Sequence, residues 1–208
     1  MTLVRKLSDI KVLPVLIIED EGVAVDLCRA LSNGGIKAVE ITLRTPSAAA
    51  AISRVKQALP ELGVSAGTVI SPDHAQLAAD AGADFLVSPG ITEVLVKKAD
   101  ALNIPLLPGV ATASEVMRGT ELDLDCFKLF PAVAVGGIQL LKSLASPLPN
   151  VSFCPTGGLS RDNFVEFLAL PNVACVGGSW MAPRNAVAEM DWQSIEREAR
   201  DTLLQISQ

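Results

Sequence analysis

Tyrosine is absent from this 208-residue chain, histidine occurs once, and aromatic residues make up only 4%. A single histidine, His74, excludes a His-rich zinc site. The net charge is −6, and no run of Lys and Arg with interleaved aromatics tracks through the sequence, so nucleic acid is not an expected partner. Net acidity does not forbid small anionic ligands; it makes individual cations informative. The four cysteines, Cys28, Cys126, Cys154 and Cys175, form no CxxC pair, and a chain of this length needs no disulfide framework. They read as buried free thiols in a reducing compartment. The longest early apolar run, in KVLPVLII, has about seven residues against the ~18 that cross a bilayer, and no small-residue cleavage site accompanies it. No membrane association is expected, and the expected location is the cytoplasm. There is also no linker, low-complexity stretch or charge block, so one domain over residues 1–208 is expected.

Half of the residues are hydrophobic and 19% are charged, which is ample material for one core. Apolar and β-branched runs recur at 12–18, 38–43, 65–69, 85–90, 105–110, 126–131, 152–157 and 174–179. Between them lie segments with helical spacing, such as TPSAAAAISRVKQALP and SPDHAQLAADAGA, several opening with Ser, Thr, Asp or Pro. Strands alternating with helices require a parallel sheet. Eight such units without a GxGxxG at the first helix favour a (β/α)₈ TIM barrel over an open doubly wound sheet, with residues 2–10 as a helix across the barrel bottom. Functional groups should then sit at the C-terminal ends of the strands.

Period-two alternation along AVEITLRT sets Glu40, Thr42 and Arg44 on one face and Val39, Ile41 and Leu43 on the other. The apolar face belongs against the helices, so Glu40 projects into the barrel, where an unpaired carboxylate is costly. It is a candidate general acid or base; a Glu40–Arg44 ion pair that merely plugs the barrel is the alternative. In CFKLFP the same alternation turns Lys128 inward between Cys126 and Phe130. Desolvation favours the neutral amine, which is the nucleophile in carbonyl chemistry. The alternative is a structural pair with Glu40. Lys37, Lys97, Lys98 and Lys142 read as surface residues, and so does His74 in the first turn of its helix.

The remaining strand ends carry SAGT with Thr68, VSPG with Pro89, LLPG with Pro108 and CPTGG with Thr156. Strand seven runs into Gly157 and Gly158, and strand eight into Gly177, Gly178 and Ser179. Paired glycines after these two strands let backbone amides approach an anion, and barrels often hold phosphate there. No second inward acidic residue accompanies Glu40, which disfavours a Mg²⁺ site, and no metal is expected.

Taken together, VEITLRT, SAGTVISP, SPGIT, PLLPGVAT, FKLFPA, FCPTGGLS and VGGSWMAP, in this order over residues 12–183, resemble the 2-keto-3-deoxy-6-phosphogluconate (KDPG) and 4-hydroxy-2-oxoglutarate (KHG) aldolase family. The resemblance implies a Schiff-base lyase of the Entner–Doudoroff route that needs no cofactor. By it Lys128 forms the imine, Glu40 moves protons and Arg44 clamps the pyruvate carboxylate. Thr68 and Pro89 shape the pocket, Thr156 reads a substrate hydroxyl, and Gly157, Gly158, Gly177, Gly178 and Ser179 hold phosphate. Its partners would be the phosphorylated keto acid, pyruvate and further copies of the chain in a homotrimer. Three other readings stay open at this point: an aldolase for the galactonate epimer, a metal-dependent pyruvate aldolase, and a non-catalytic sensor of phosphorylated sugar acids.

Overall fold

In the computed structural model, which describes residues 2–206, parallel strands alternate with helices along the chain. Helix α1 (Leu3–Ile10) starts where the Thr2 hydroxyl accepts from the Arg5 N–H. Strands β1 (Val12–Leu16), β2 (Ala38–Thr42), β3 (Gly63–Gly67) and β4 (Phe85–Val87) alternate with α2 (Ala24–Asn33), α3 (Ala48–Ala58) and α4 (Pro72–Asp80). After α5 (Glu93–Ala101) come β5 (Leu106–Leu107), β6 (Gly109–Val110), α6 (Ala113–Thr120) and β7 (Cys126–Leu129). The chain then forms α7 (Gly137–Ala145), β8 (Ser152–Phe153), α8 (Phe164–Leu168), β9 (Val176–Gly178), α9 (Arg184–Ala188) and α10 (Trp192–Gln205).

Side-chain caps explain several starts. Ser71 accepts from the His74 N–H at the head of α4, Thr92 from the Leu95 N–H at α5, and Thr112 forms a reciprocal box with Glu115 at α6. Ser47 does not cap α3; its hydroxyl donates instead to the Glu19 carbonyl and ties β2's outgoing loop to that of β1.

The strands form a six-stranded parallel sheet, ordered β5-β4-β3-β2-β1-β9, and a three-stranded one, ordered β6-β7-β8. A parallel bridge between Thr156 and Gly177 joins the segment after β8 to β9. All eight expected strand segments are present, but the fifth, expected over 105–110, is interrupted. Pro108 has no N–H for a ladder, so β5 pairs with β4 while β6 pairs with β7. The Pro108 carbonyl still accepts from the Lys128 N–H at 2.8 Å. The fourth strand also stops earlier than expected, at Val87, where the Ser88 hydroxyl donates to the Gly90 carbonyl and turns the chain.

Alternation along the strands divides the core in two. Val39, Ile41, Phe127 and Leu129 belong to the larger cluster, packed against the helices. Leu13, Ala38, Phe85, Val87, Leu107, Cys126, Cys154 and Cys175 form a second cluster, which α1 joins through Leu7 and Ile10. The N-terminal helix thus seals the end of the strands from which the chain enters, as expected for residues 2–10. Among the described residues no helix is long and apolar enough to cross a membrane.

All four cysteines are free and buried. Burial pushes the Cys28 thiol up to about 12 and holds Cys126 and Cys175 well above the ordinary thiol range. Ellman's reagent at pH 8 should therefore label none of the four in the folded protein and all four in urea. Leu7 is fully buried, so Leu7→Ala should cost roughly 2–5 kcal/mol, read from the shift of the urea midpoint.

Candidate active site

Above the apolar floor the interior becomes polar. Lys128 on β7 and Glu40 on β2 come from opposite sides of the sheet system and meet: Nζ donates to Oε1 at 3.1 Å and to Oε2 at 3.3 Å. Their side chains are only 7% and 2% exposed, so water does not share this contact to any extent. The pairing follows from the strand pattern. Cys126 and Lys128 occupy the same face of β7, and Ala38 and Glu40 the same face of β2, one step closer to the strands' C-terminal ends than the apolar cluster. Gly67 on β3 makes the room, since a Cβ there would run into the Glu40 carboxylate. The Phe130 ring covers Lys128 from the far side, its centroid 5.3 Å from Nζ. An amine next to a carboxylate, shielded from water and open to a cavity on one side, can lose its proton to that carboxylate and attack a carbonyl carbon.

Arg44 does not pair with Glu40, so the expected alternative of a plugging ion pair is not what forms. Its Nε donates to the Thr68 hydroxyl at 2.9 Å, which leaves the outer edge of the guanidinium free for a carboxylate. Thr68 is held with φ at 57°, in the left-handed region that non-glycine residues rarely occupy. His74 was expected on the surface but is half-buried: its Nδ1 lies 3.4 Å from the Thr68 carbonyl, so the histidine packs under the residue that orients Arg44. Its position at the head of α4, just after SAGT, was the only signal available in the sequence.

A cavity of about 710 Å³ opens above Lys128. Arg44, Lys128, Phe130, Thr156, Gly157, Gly158, Gly178 and Ser179 all face it. Gly157 and Gly158 have φ of 99° and 83°, a conformation open to glycine, and they turn the loop after β8 along the cavity wall. The second glycine pair differs. Gly177 does not line the cavity; its N–H donates to the Pro155 carbonyl at 2.9 Å, and a Cβ there would strike the Thr156 hydroxyl. Its role is to leave space for Thr156. At Gly178 a Cβ would collide with the Trp180 ring. Pro89 also stands off the cavity, with its carbonyl packed against Gly109. Sequence reasoning missed Gly67, Phe130 and the cavity-lining Glu19, Asp20 and Arg184; SAGT and FKLFP had already flagged the neighbourhoods of the first two. Among the described residues no three His, Cys, Asp or Glu side chains converge as a metal-ligand set would.

A buried lysine–carboxylate pair at the C-terminal ends of parallel strands, with an arginine at the rim, defines a site for imine chemistry on a keto acid. The family model for KDPG and KHG aldolases matches residues 3–198, and the chain belongs to that family. It is 45% identical over 193 residues to the 2-dehydro-3-deoxy-phosphogluconate aldolase of Pseudomonas aeruginosa, covering 93% of this chain and 88% of that one. It is 43% identical over 192 residues to the KHG/KDPG aldolase of Escherichia coli K12, covering 92% and 90%. Among solved structures, a KDPG aldolase from Legionella pneumophila with pyruvate captured as a covalent carbinolamine superposes with a TM-score of 0.94 at 41% identity, over 97% of this chain and 98% of that one. A KDPG aldolase from Zymomonas mobilis solved with 3-phosphoglycerate gives 0.89 at 42% identity, over 96% and 94%.

Gly67→Ala should drive the Glu40 carboxylate off Lys128 and lower kcat on the order of a hundredfold, with KM little changed, in steady-state assays of pyruvate release.

Proposed function

We propose that this protein is a class I aldolase that cleaves KDPG to pyruvate and glyceraldehyde 3-phosphate, and also cleaves KHG to pyruvate and glyoxylate. The observation that carries the reading is the buried Lys128–Glu40 contact at 3.1 Å, open to a cavity that Arg44 also lines. A relative holding pyruvate as a covalent carbinolamine supports it.

Glu40 takes a proton from Nζ, and the neutral amine attacks the C2 ketone. Glu40 returns the proton as the carbinolamine loses water, leaving an iminium that draws electrons from the C3–C4 bond. The C4 hydroxyl gives its proton to Glu40, the bond breaks, and the aldehyde leaves. The remaining enamine is protonated at C3, and water releases pyruvate from Lys128. Arg44, steadied by Thr68, grips the C1 carboxylate so that C2 stays against Nζ. Thr156 meets a substrate hydroxyl, and the Gly157–Gly158 turn with Ser179 receives the C6 phosphate. The relative solved with 3-phosphoglycerate supports a phosphorylated acid as ligand. Gly177 and Gly178 serve the same end indirectly, by admitting Thr156 and Trp180. Pro89 shapes the pocket from behind, against Gly109.

The galactonate epimer is the weaker substrate reading, because the solved KDPGal structure is 25% identical, against 45% for the Pseudomonas enzyme. The two parallel arrays and the Thr156–Gly177 bridge support a closed (β/α)₈ barrel that takes up the chain as one domain. Ile70, Leu77, Val94 and Met117, exposed around α4, α5 and α6, support a face for further copies of the chain in a homotrimer.

Incubation with pyruvate and borohydride, followed by peptide mass spectrometry, should place a reduced adduct on Lys128. Lys128→Met should give neither adduct nor cleavage while keeping its circular dichroism. A folded wild-type protein that traps no pyruvate would overturn the imine mechanism, and loss of activity in excess EDTA would favour a metal-dependent one. Ser179→Asp should raise KM for KDPG far more than for KHG; an unchanged pair of KM values would misplace the phosphate end.

A further inference from the structure

Three of the residues lining the cavity are cationic: Arg44, Lys128 and Arg184. Two are already engaged, Lys128 with Glu40 and Arg44 with Thr68. Arg184 makes no side-chain hydrogen bond or ion pair among the described residues, although most other arginines of the chain do, including Arg29, Arg54, Arg118, Arg161 and Arg200. It is exposed, it opens α9, and it follows Ser179 through the cavity-lining Ala182 and Pro183. The cavity lining also carries two carboxylates, Glu19 and Asp20, in the loop after β1. One Asp20 oxygen accepts from the Gly22 N–H at 2.8 Å, which turns it toward its own loop, but both charges remain at the mouth.

A phosphate monoester carries nearly two negative charges near neutral pH. Neutral glycine amides and a serine hydroxyl can orient it, yet they cannot offset the repulsion from Glu19 and Asp20 in an acidic protein. We infer that Arg184 is the counter-charge for the distal phosphate and thereby sets this enzyme's preference for the phosphorylated six-carbon substrate over the shorter KHG. Arg184 acts as a specificity-determining residue: it touches neither the reacting carbons nor Lys128. KHG ends at a C5 carboxylate, too short to need the outer wall, so its turnover is indifferent to Arg184.

This inference rests on the aldolase reading, and one set of assays separates the two. Wild-type protein must cleave both KDPG and KHG; if it cleaves neither, the aldolase reading itself fails. In Arg184→Gln, KM for KDPG should rise by about tenfold with kcat held, while both constants for KHG stay within about twofold. Arg184→Lys should restore most of the KDPG affinity. The inhibition constant of 3-phosphoglycerate should rise in parallel, and the salt dependence of the KDPG KM should flatten in the glutamine variant. If Arg184→Gln leaves the KDPG KM unchanged, or raises the two KM values equally, Arg184 is not the phosphate counter-charge. The KHG rate also serves as the folding control, since an unfolded variant loses both activities.

Discussion

One buried contact between unlike side chains constrains the interior of this protein. Lys128 and Glu40 sit almost wholly out of water, and an isolated charge at either position would be prohibitively costly. Neither residue is tolerable without the other, so β7 and β2, separated by much of the chain, must reach across the interior to a common height. The surroundings comply with that demand. Gly67 withholds a side chain where the carboxylate lies, Phe130 closes the amine's other flank, and the Pro108 carbonyl anchors the Lys128 backbone through the break between β5 and β6.

The interior is accordingly layered. From α1 upward the interior holds Leu7, Ile10, Leu13, Phe85 and the thiols of Cys126, Cys154 and Cys175, all apolar or nearly so. The Lys128–Glu40 pair lies above, and then the open cavity. The apolar floor beneath the pair offers water few polar partners. In the proposed cycle this arrangement makes Glu40 the nearest base, since no other titratable side chain among the described residues bonds Nζ.

Electrostatics at the mouth run against the protein's overall sign. A chain of net charge −6 that takes polyanionic substrates must concentrate its cations, and the cavity does so with Arg44 at one point of the wall and Arg184 at another. Arg44 is preorganised by Thr68, whose left-handed backbone leans on His74. Arg184 is exposed at the head of α9 and has no side-chain partner among the described residues. On the proposed reading the two cations differ as their tasks do: fixing a carboxylate beside the reacting carbon needs geometry, and neutralising a distant phosphate needs only charge.

Period-two alternation alone determined that Glu40 and Lys128 face inward and that Val39, Ile41, Phe127 and Leu129 face the helices, because a strand allows no other disposition once one face is apolar. The repeat of strand and helix, the capping residues at α4 and α5, and the order of the family motifs were legible in the same way, each being a property of a short stretch of chain. What the tertiary structure decided involves residues distant in sequence. That Glu40 bonds Lys128 and Arg44 bonds Thr68, that Gly177 serves Thr156 while its amide is spent on Pro155, that His74 turns inward, and that Arg184 meets the cavity all depend on which strands and loops become neighbours. A one-dimensional pattern reports the face on which a side chain stands; only the packed chain reports what stands opposite it.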